Sequence, residues 1–294
     1  MNIALTVLEI VAPVFLLAAI GYVWVRLGFE YRVQFVTRLS MTLSIPCLIF
    51  VALMETEIDP TVLTAISLAS VVAYGLITVA FAVIVAVLRL DRGLYLSPLI
   101  FGNTGNLGLP LALFAFGNEG LGFAVVVFAI MAIWSFTFGI WIVAGGGNPL
   151  RLLKEPLLGA TVLGALFLWQ DWQTPTFVTN TLRLIGQMAI PLMLVTLGVA
   201  VARLHPRGLG RALALSVLKV VLCVAIGWGV GLWFGLGPVP FAVLVLQVAT
   251  PVAVTSYLIA EKYAPEASDA VAGLVVMSTL LSVVALPITL ALVI

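Results

Sequence analysis

The sequence predicts an all-α polytopic membrane protein of ten transmembrane helices, built as two inverted five-helix repeats whose fourth and ninth helices are broken. Three observations carry this prediction. Hydrophobic residues make up 63% of the chain and charged residues 9%, at a mean hydropathy of +1.28. Basic and acidic loops alternate along the chain, and two spans in corresponding positions are interrupted by Gly, Pro and small polar residues.

Soluble domains of this size carry about 25% charged residues. Here apolar runs of about 20 residues, each long enough to cross about 30 Å of hydrocarbon, follow one another through all 294 residues. Residues 1–294 therefore read as one membrane domain. The opening MNIALTVLEI lacks the basic segment of a signal peptide and runs into a full-length span, so the first helix is expected to be retained. Cys47 and Cys223 sit in apolar runs without His or Cys at metal-ligand spacing and read as packing residues; no metal site is expected. A net charge of +1 gives no reason to expect nucleic acid as a partner; the bilayer is the expected environment.

The spans fall at 4–25, 33–53, 61–88, 95–116, 120–144, 152–169, 177–202, 211–234, 239–261 and 268–292. Loops after the odd-numbered spans hold Arg26, Arg32, Arg38, Arg89, Arg92, Arg151, Lys154, Arg203, Arg207, Arg211 and Lys262. Loops after the even-numbered spans hold Glu55, Glu57, Asp59, Glu119 and Asp171 instead, and 235–238 is uncharged. By the positive-inside rule the odd loops are cytoplasmic, which places both termini on the outer side.

Prolines divide the chain into two similar halves. Pro13, Pro46 and Pro110 are separated by 33 and 64 residues, and Pro156, Pro191 and Pro251 by 35 and 60. SIPCLIFVAL at 44–53 resembles AIPLMLVTLG at 189–198 with the proline third in each. The repeats are then 1–144 and 152–294, joined by a short cytoplasmic linker at 145–151. A unit of five helices forces the second copy to enter from the opposite side. Inverted repeats recur in secondary transporters because the two halves supply outward-open and inward-open states of similar energy.

The fourth span contains FGNTGNLGLPLALFAFG at 101–117. In a bilayer every backbone N–H and C=O needs a partner, so unwound chain survives only inside protein or along a wet cavity. Gly102, Gly105 and Gly108 permit unusual backbone angles and Pro110 removes a donor, while Asn103, Thr104 and Asn106 offer polar groups to freed backbone or to a ligand. LQVATPVAVTSY at 246–257 places Gln247, Thr250, Pro251, Thr255 and Ser256 in the corresponding part of the second repeat. Paired interrupted spans are the best sequence pointer to a transporter's binding site. The half-helix N-termini there favour an anion.

GNTGNLGLPL and ATPVAVTSYLIAEKY resemble the auxin efflux carrier family, bacterial type, with similarity extending over all ten spans. That family is related in fold to bile acid:sodium symporters. The resemblance implies two inverted five-helix repeats, a scaffold part, and a transport part whose fourth and ninth helices unwind and cross. It also implies carrier-type transport of a small organic anion, a mono- or dicarboxylate, in a bacterial inner membrane. The carried-over crossover positions are Asn103, Thr104 and Asn106 against Gln247, Thr250 and Thr255. The long central loop of plant members is absent, because GGGNPLR at 145–151 alone joins the repeats. A homodimer is compatible with the resemblance. GWGVGLWFG at 227–235 would serve either packing within the chain or contact between copies.

Ionisable residues inside a membrane are functional candidates by default. Glu9 is an interfacial residue or a coupling site. Lys219, about eight residues into the eighth span, either snorkels toward the basic end or is buried, as a stand-in for a coupling cation or as a partner for substrate charge. Coupling to protons or to sodium stays open, and no cofactor is expected. Arg183 reads as an interface anchor, Gln187 as a cavity residue beside Pro191, and His205 as a solvated loop residue. Metal-pair, nucleophile-elbow and phosphate-loop motifs are missing from the sequence, which argues against an enzyme. An anion channel or an uncoupled uniporter is the rival reading.

Overall fold

A computed structural model describes residues 3–55, 58–139, 142, 156–263 and 268–294. The predicted linker 145–151 and the ends of the fifth and sixth spans beside it lie outside the described residues. All regular structure among the described residues is helical apart from one isolated antiparallel bridge, Gly102 with Val252.

The elements are α1 (Ile3–Arg26), α2 (Val33–Leu39), α3 (Ile45–Met54), α4 (Pro60–Val87), α5 (Arg92–Ile100), α6 (Leu109–Trp134), α7 (Pro156–Trp169), α8 (Thr176–Gln187), α9 (Ala189–Arg203), α10 (Leu209–Trp233), α11 (Pro238–Val248), α12 (Val254–Tyr263) and α13 (Ser268–Val293). A π-turn at Ser40–Ser44 joins α2 to α3, and a second at Thr104–Gly108 leads into α6. Gly117 inside α6 adopts φ 63° and ψ −151°, which only glycine accepts without strain, and it divides α6 close to the predicted boundary between the fourth and fifth spans.

Among the described residues seven stretches are long and apolar enough to cross a membrane, and Pro156–Trp169 and Pro238–Val248 are shorter apolar helices. The exposed surface suits lipid. Leu68, Val71, Leu76, Val79, Val83 and Val87 form an exposed stripe down α4 at helical spacing. Apolar exposure on this scale would be an aggregation liability in water. The chain is a multi-pass membrane protein.

Packing sorts the helices into two groups. In the first, α1 lies along α9, and α3 packs on α7 and α8. Gly198 brings α9 against the backbone of α1 at Ala18, close enough that a Cβ there would overlap the Ala18 carbonyl. Lipid tails are as apolar as leucine, so close backbone approach of this kind is a main source of helix affinity in a bilayer. In the second group α10 packs on α13, α11 and α4, α6 on α11 and α4, and α12 on α13. A buried apolar cluster lies between the groups, with Val7, Ile10 and Val14 of α1 and Leu194 of α9 meeting Leu111 of α6 and Leu286 of α13.

One face of the Gly and Trp stretch at 227–235 packs inside the chain, while Leu232 and Trp233 are exposed. Gly227 faces Val245 and Val248, Gly231 faces the ring of Phe241, and Trp228 meets that ring edge-on at 5.1 Å.

Candidate functional site: the crossing of two broken spans

α5 stops at Ile100, because Phe101 turns extended at φ −92° and ψ 119°. Three residues later the chain re-enters helix at Thr104. In the other half α11 stops at Val248 and α12 starts at Val254. The two non-helical segments cross and satisfy each other. Asn103 N–H donates to the Pro251 carbonyl at 2.7 Å, and Ala253 N–H donates to the Phe101 carbonyl at 3.3 Å. Ser278 Oγ on α13 accepts from Val252 N–H at 3.0 Å. Neighbouring backbone and one hydroxyl thus repair groups that lipid could not.

Small residues make the crossing fit. A Cβ on Gly102 would overlap Thr250 Oγ1, and one on Gly108 would overlap Gln247 Oε1. Pro110 stands at the second position of α6, directly after the π-turn at Thr104–Gly108, where its missing N–H removes one donor from the ladder. Thr250 turns its hydroxyl onto the Gln247 carbonyl at 2.7 Å.

Diverting Asn103 N–H releases the carbonyl of Leu99, its partner in an uninterrupted helix. Lys219 of α10 takes that place, its Nζ donating to the Leu99 carbonyl at 2.9 Å. Lys219 is 2% exposed, so it does not snorkel. Its Nζ stands at the C-terminal end of the α5 half-helix, the end whose dipole favours a cation. The salt bridges among the described residues join Arg32 to Glu30, Arg183 to Glu55 and Arg207 to Asp269, none of them involving Lys219.

Several polar groups at the crossing have no hydrogen-bond partner: Asn103 Nδ2, Thr104 Oγ1 and both side-chain polar atoms of Gln247. All three residues are at most 4% exposed. An unsatisfied buried polar group costs about 1–3 kcal/mol.

A cavity of about 840 Å³ leads to this place. Arg32, Arg203 and His205, all exposed, stand among its lining, and Asn106 and Thr255 line it from the crossing. One wall is built by α2, the first π-turn and α9, the other by Asn106 and α12. Thr196 Oγ1 on α9 donates to the Leu192 carbonyl at 2.6 Å, which leaves Tyr31 OH to donate to Thr196 at 2.7 Å. Burial pushes the Tyr31 phenol up, with the Thr196 hydrogen bond acting in the opposite direction. Arg203 donates to the Tyr31 carbonyl at 2.7 Å and ties the α1–α2 loop to α9.

The structure therefore brings Asn106 and Thr255 to the cavity and packs Asn103, Thr104, Gln247, Thr250 and Pro251 at the crossing, all five of them buried. Ser256 is buried in the first turn of α12, and Pro110 in that of α6. Gln187 is exposed at the end of α8 and Glu9 is exposed on α1, and neither lines this cavity. Arg183 pairs with Glu55 and donates to Asn180 Oδ1. Polar cavity residues that the sequence did not point to include Ser40, Thr196 and Tyr31, together with Glu30, Gln34, Thr37, Tyr257 and Glu261. Isolated hydroxyls in helices of this kind carry no motif.

A family model described as "membrane transport protein" matches residues 6–150 and 141–290. The chain belongs to the membrane transport protein family. This is the auxin efflux carrier family to which the GNTGNLGLPL motif pointed. A Methanothermobacter thermautotrophicus protein named "uncharacterized transporter" is 27% identical to this transporter over 95% of this chain and 96% of its own. The "uncharacterized transporter MJ1031" of Methanocaldococcus jannaschii is 30% identical over 35% of this chain and 36% of its own. The protein is a transporter and not an enzyme.

Proposed function

We propose that this transporter is a secondary-active carrier that moves a small organic anion, a mono- or dicarboxylate, by alternating access around the crossing of its fourth and ninth spans. The observation that carries this reading is the cavity of about 840 Å³ that reaches Asn106 and Thr255, each in the first turn after a break. The first N–H groups of a helix have no intrahelical acceptor, and they carry the positive end of its dipole. Two such ends at one cavity favour a carboxylate over a cation. The unpaired groups of Asn103, Thr104 and Gln247 supply further polarity beside them.

The membrane arrangement completes the proposal. The chain crosses ten times as two inverted five-helix repeats, with Arg92–Ile100 and the helix after Thr104 forming one crossing and α11 with α12 forming another. Both termini lie on the outer side of a bacterial inner membrane, with the basic loops inside. The cavity shares its end of the molecule with Arg32, Arg203 and His205, so this conformation is the inward-open one. Lys219 serves as a fixed cation beside the crossing.

A thermal-shift screen of the purified protein tests the substrate class. Stabilisation by at least one small carboxylate is expected, and stabilisation by cations or neutral solutes alone would overturn the reading. Exchange of labelled substrate across proteoliposomes that saturates with concentration is expected of a carrier, whereas flux that does not saturate indicates a channel.

A further inference from the structure

Hydroxyls inside membrane helices have a standard outlet, the carbonyl four residues earlier. Ser67, Ser70, Thr78, Thr196 and Ser216 all use it, at 2.6–2.7 Å. Thr42 uses it too, on the Arg38 carbonyl at 2.8 Å. Ser40 and Ser44, at the two ends of the same π-turn, do not. Both are buried, and neither Oγ has a partner. The π-turn changes the local ladder: Ile45 N–H reaches back five residues to the Ser40 carbonyl.

Ser40 differs from Ser44 in its position, because it lines the large cavity and Ser44 does not. Asn106, from the π-turn at Thr104–Gly108, lines the same cavity. Two π-turns, one from each packing group, therefore border one space. π-turns are frequent at functional sites because the widened ladder redirects side chains. A side chain that is 3% exposed, unpaired and in a cavity wall has its hydrogen-bonding capacity reserved.

We propose that Ser40 Oγ, buried and unpaired in the wall of the cavity that Asn106 also lines, is a substrate-binding donor to the carboxylate, so that the π-turn between α2 and α3 forms the second wall of the binding site. The proposal rests on the anion reading given under Proposed function. A neutral hydroxyl donates to a carboxylate without setting a second buried charge in the wall. It also ties the substrate to the α1–α9 group, whereas Asn106 belongs to the other group, so one anion bridges both halves of the packing.

The test is Ser40→Ala, with Thr42→Ala as a neighbouring control whose hydroxyl is already paired. Removing an unpaired buried hydroxyl leaves the folded state no worse satisfied, so the unfolding midpoint of ligand-free Ser40→Ala is expected to be unchanged or raised. Titration with malonate, succinate and acetate is expected to show at least ten-fold weaker binding of the best wild-type ligand, with Thr42→Ala like wild type. Unchanged affinity in Ser40→Ala while Asn106→Ala binds weakly overturns this assignment and leaves the site reading standing. A lowered midpoint together with weaker binding makes the hydroxyl structural and also overturns it. If wild type binds no carboxylate, the site reading fails and this inference with it.

Discussion

Lys219 Nζ and the carbonyl of Leu99 lie 2.9 Å apart, which places a buried donor on the acceptor that the break in the fourth span releases. Without that break Leu99 would pair along its own helix and the buried Lys219 would lose the acceptor it now has. The crossing and the lysine therefore depend on each other.

Lys219→Ala removes the donor and leaves both a cavity and an unsatisfied carbonyl. The carbonyl alone costs about 1–3 kcal/mol. The variant is expected to unfold at a clearly lower temperature than wild type, measured on purified protein without ligand. A midpoint equal to wild type would mean that the Leu99 carbonyl finds another donor.

Gly108→Ala and Gly102→Ala would drive a methyl group into Gln247 and Thr250. Both are expected to lower the thermal midpoint and carboxylate binding together, because the crossing has to separate to admit the Cβ. Gly159→Ala and Gly229→Ala meet open space at helical positions and are expected to be neutral or stabilising. Equal behaviour of the two pairs would contradict the tight crossing.

The crossing was legible in the sequence because its devices are rare residue types at short spacing: the NTGN cluster, Pro110, and Thr250 with Pro251 are poor choices for a lipid-facing helix. What those residues do was less legible. Gln247 packs against Gly108 instead of facing the cavity, because the two segments cross at that level. Gln187 followed the same polar logic yet is exposed at the end of α8, since Gly186 turns inward onto the backbone of α3 at Leu48. Ser40 left no mark in the sequence, because a π-turn is an added residue in a hydrogen-bond ladder and any apolar segment accommodates it. Lys219 sits too deep to snorkel, and its carbonyl partner is 120 positions away in sequence, so no local pattern names it.

Asp59 caps α4, its Oδ1 accepting from Thr61 N–H and from Thr61 Oγ1, each at 2.7 Å. These hydrogen bonds, the side-chain one foremost, hold its carboxyl below the usual carboxylate value. A depressed folded-state value stabilises above the unfolded value and is lost as pH falls through the folded one. The stability difference between wild type and Asp59→Asn is therefore expected to be constant near neutrality and to shrink once pH drops below the ordinary carboxylate range. A difference that grows on acidification would contradict the cap.

Arg183 and Glu55 form a partly exposed ion pair between α8 and the end of α3. Exposed pairs contribute about 0–1 kcal/mol. Arg183→Gln is expected to shift stability only slightly and to leave carboxylate affinity within about two-fold of wild type. A large loss of affinity would place the substrate at that end of the molecule instead.

Equilibrium binding of mono- and dicarboxylates to purified wild type and Asn106→Ala, at two pH values and with and without sodium, tests the binding site most directly. Wild type is expected to bind at least one carboxylate saturably. Asn106→Ala is expected to bind it at least ten-fold more weakly, the loss of a hydrogen bond to a charged group being about 1.5–3 kcal/mol, with an unchanged unfolding midpoint. Carboxylate binding of equal strength in both proteins would place the site away from the crossing.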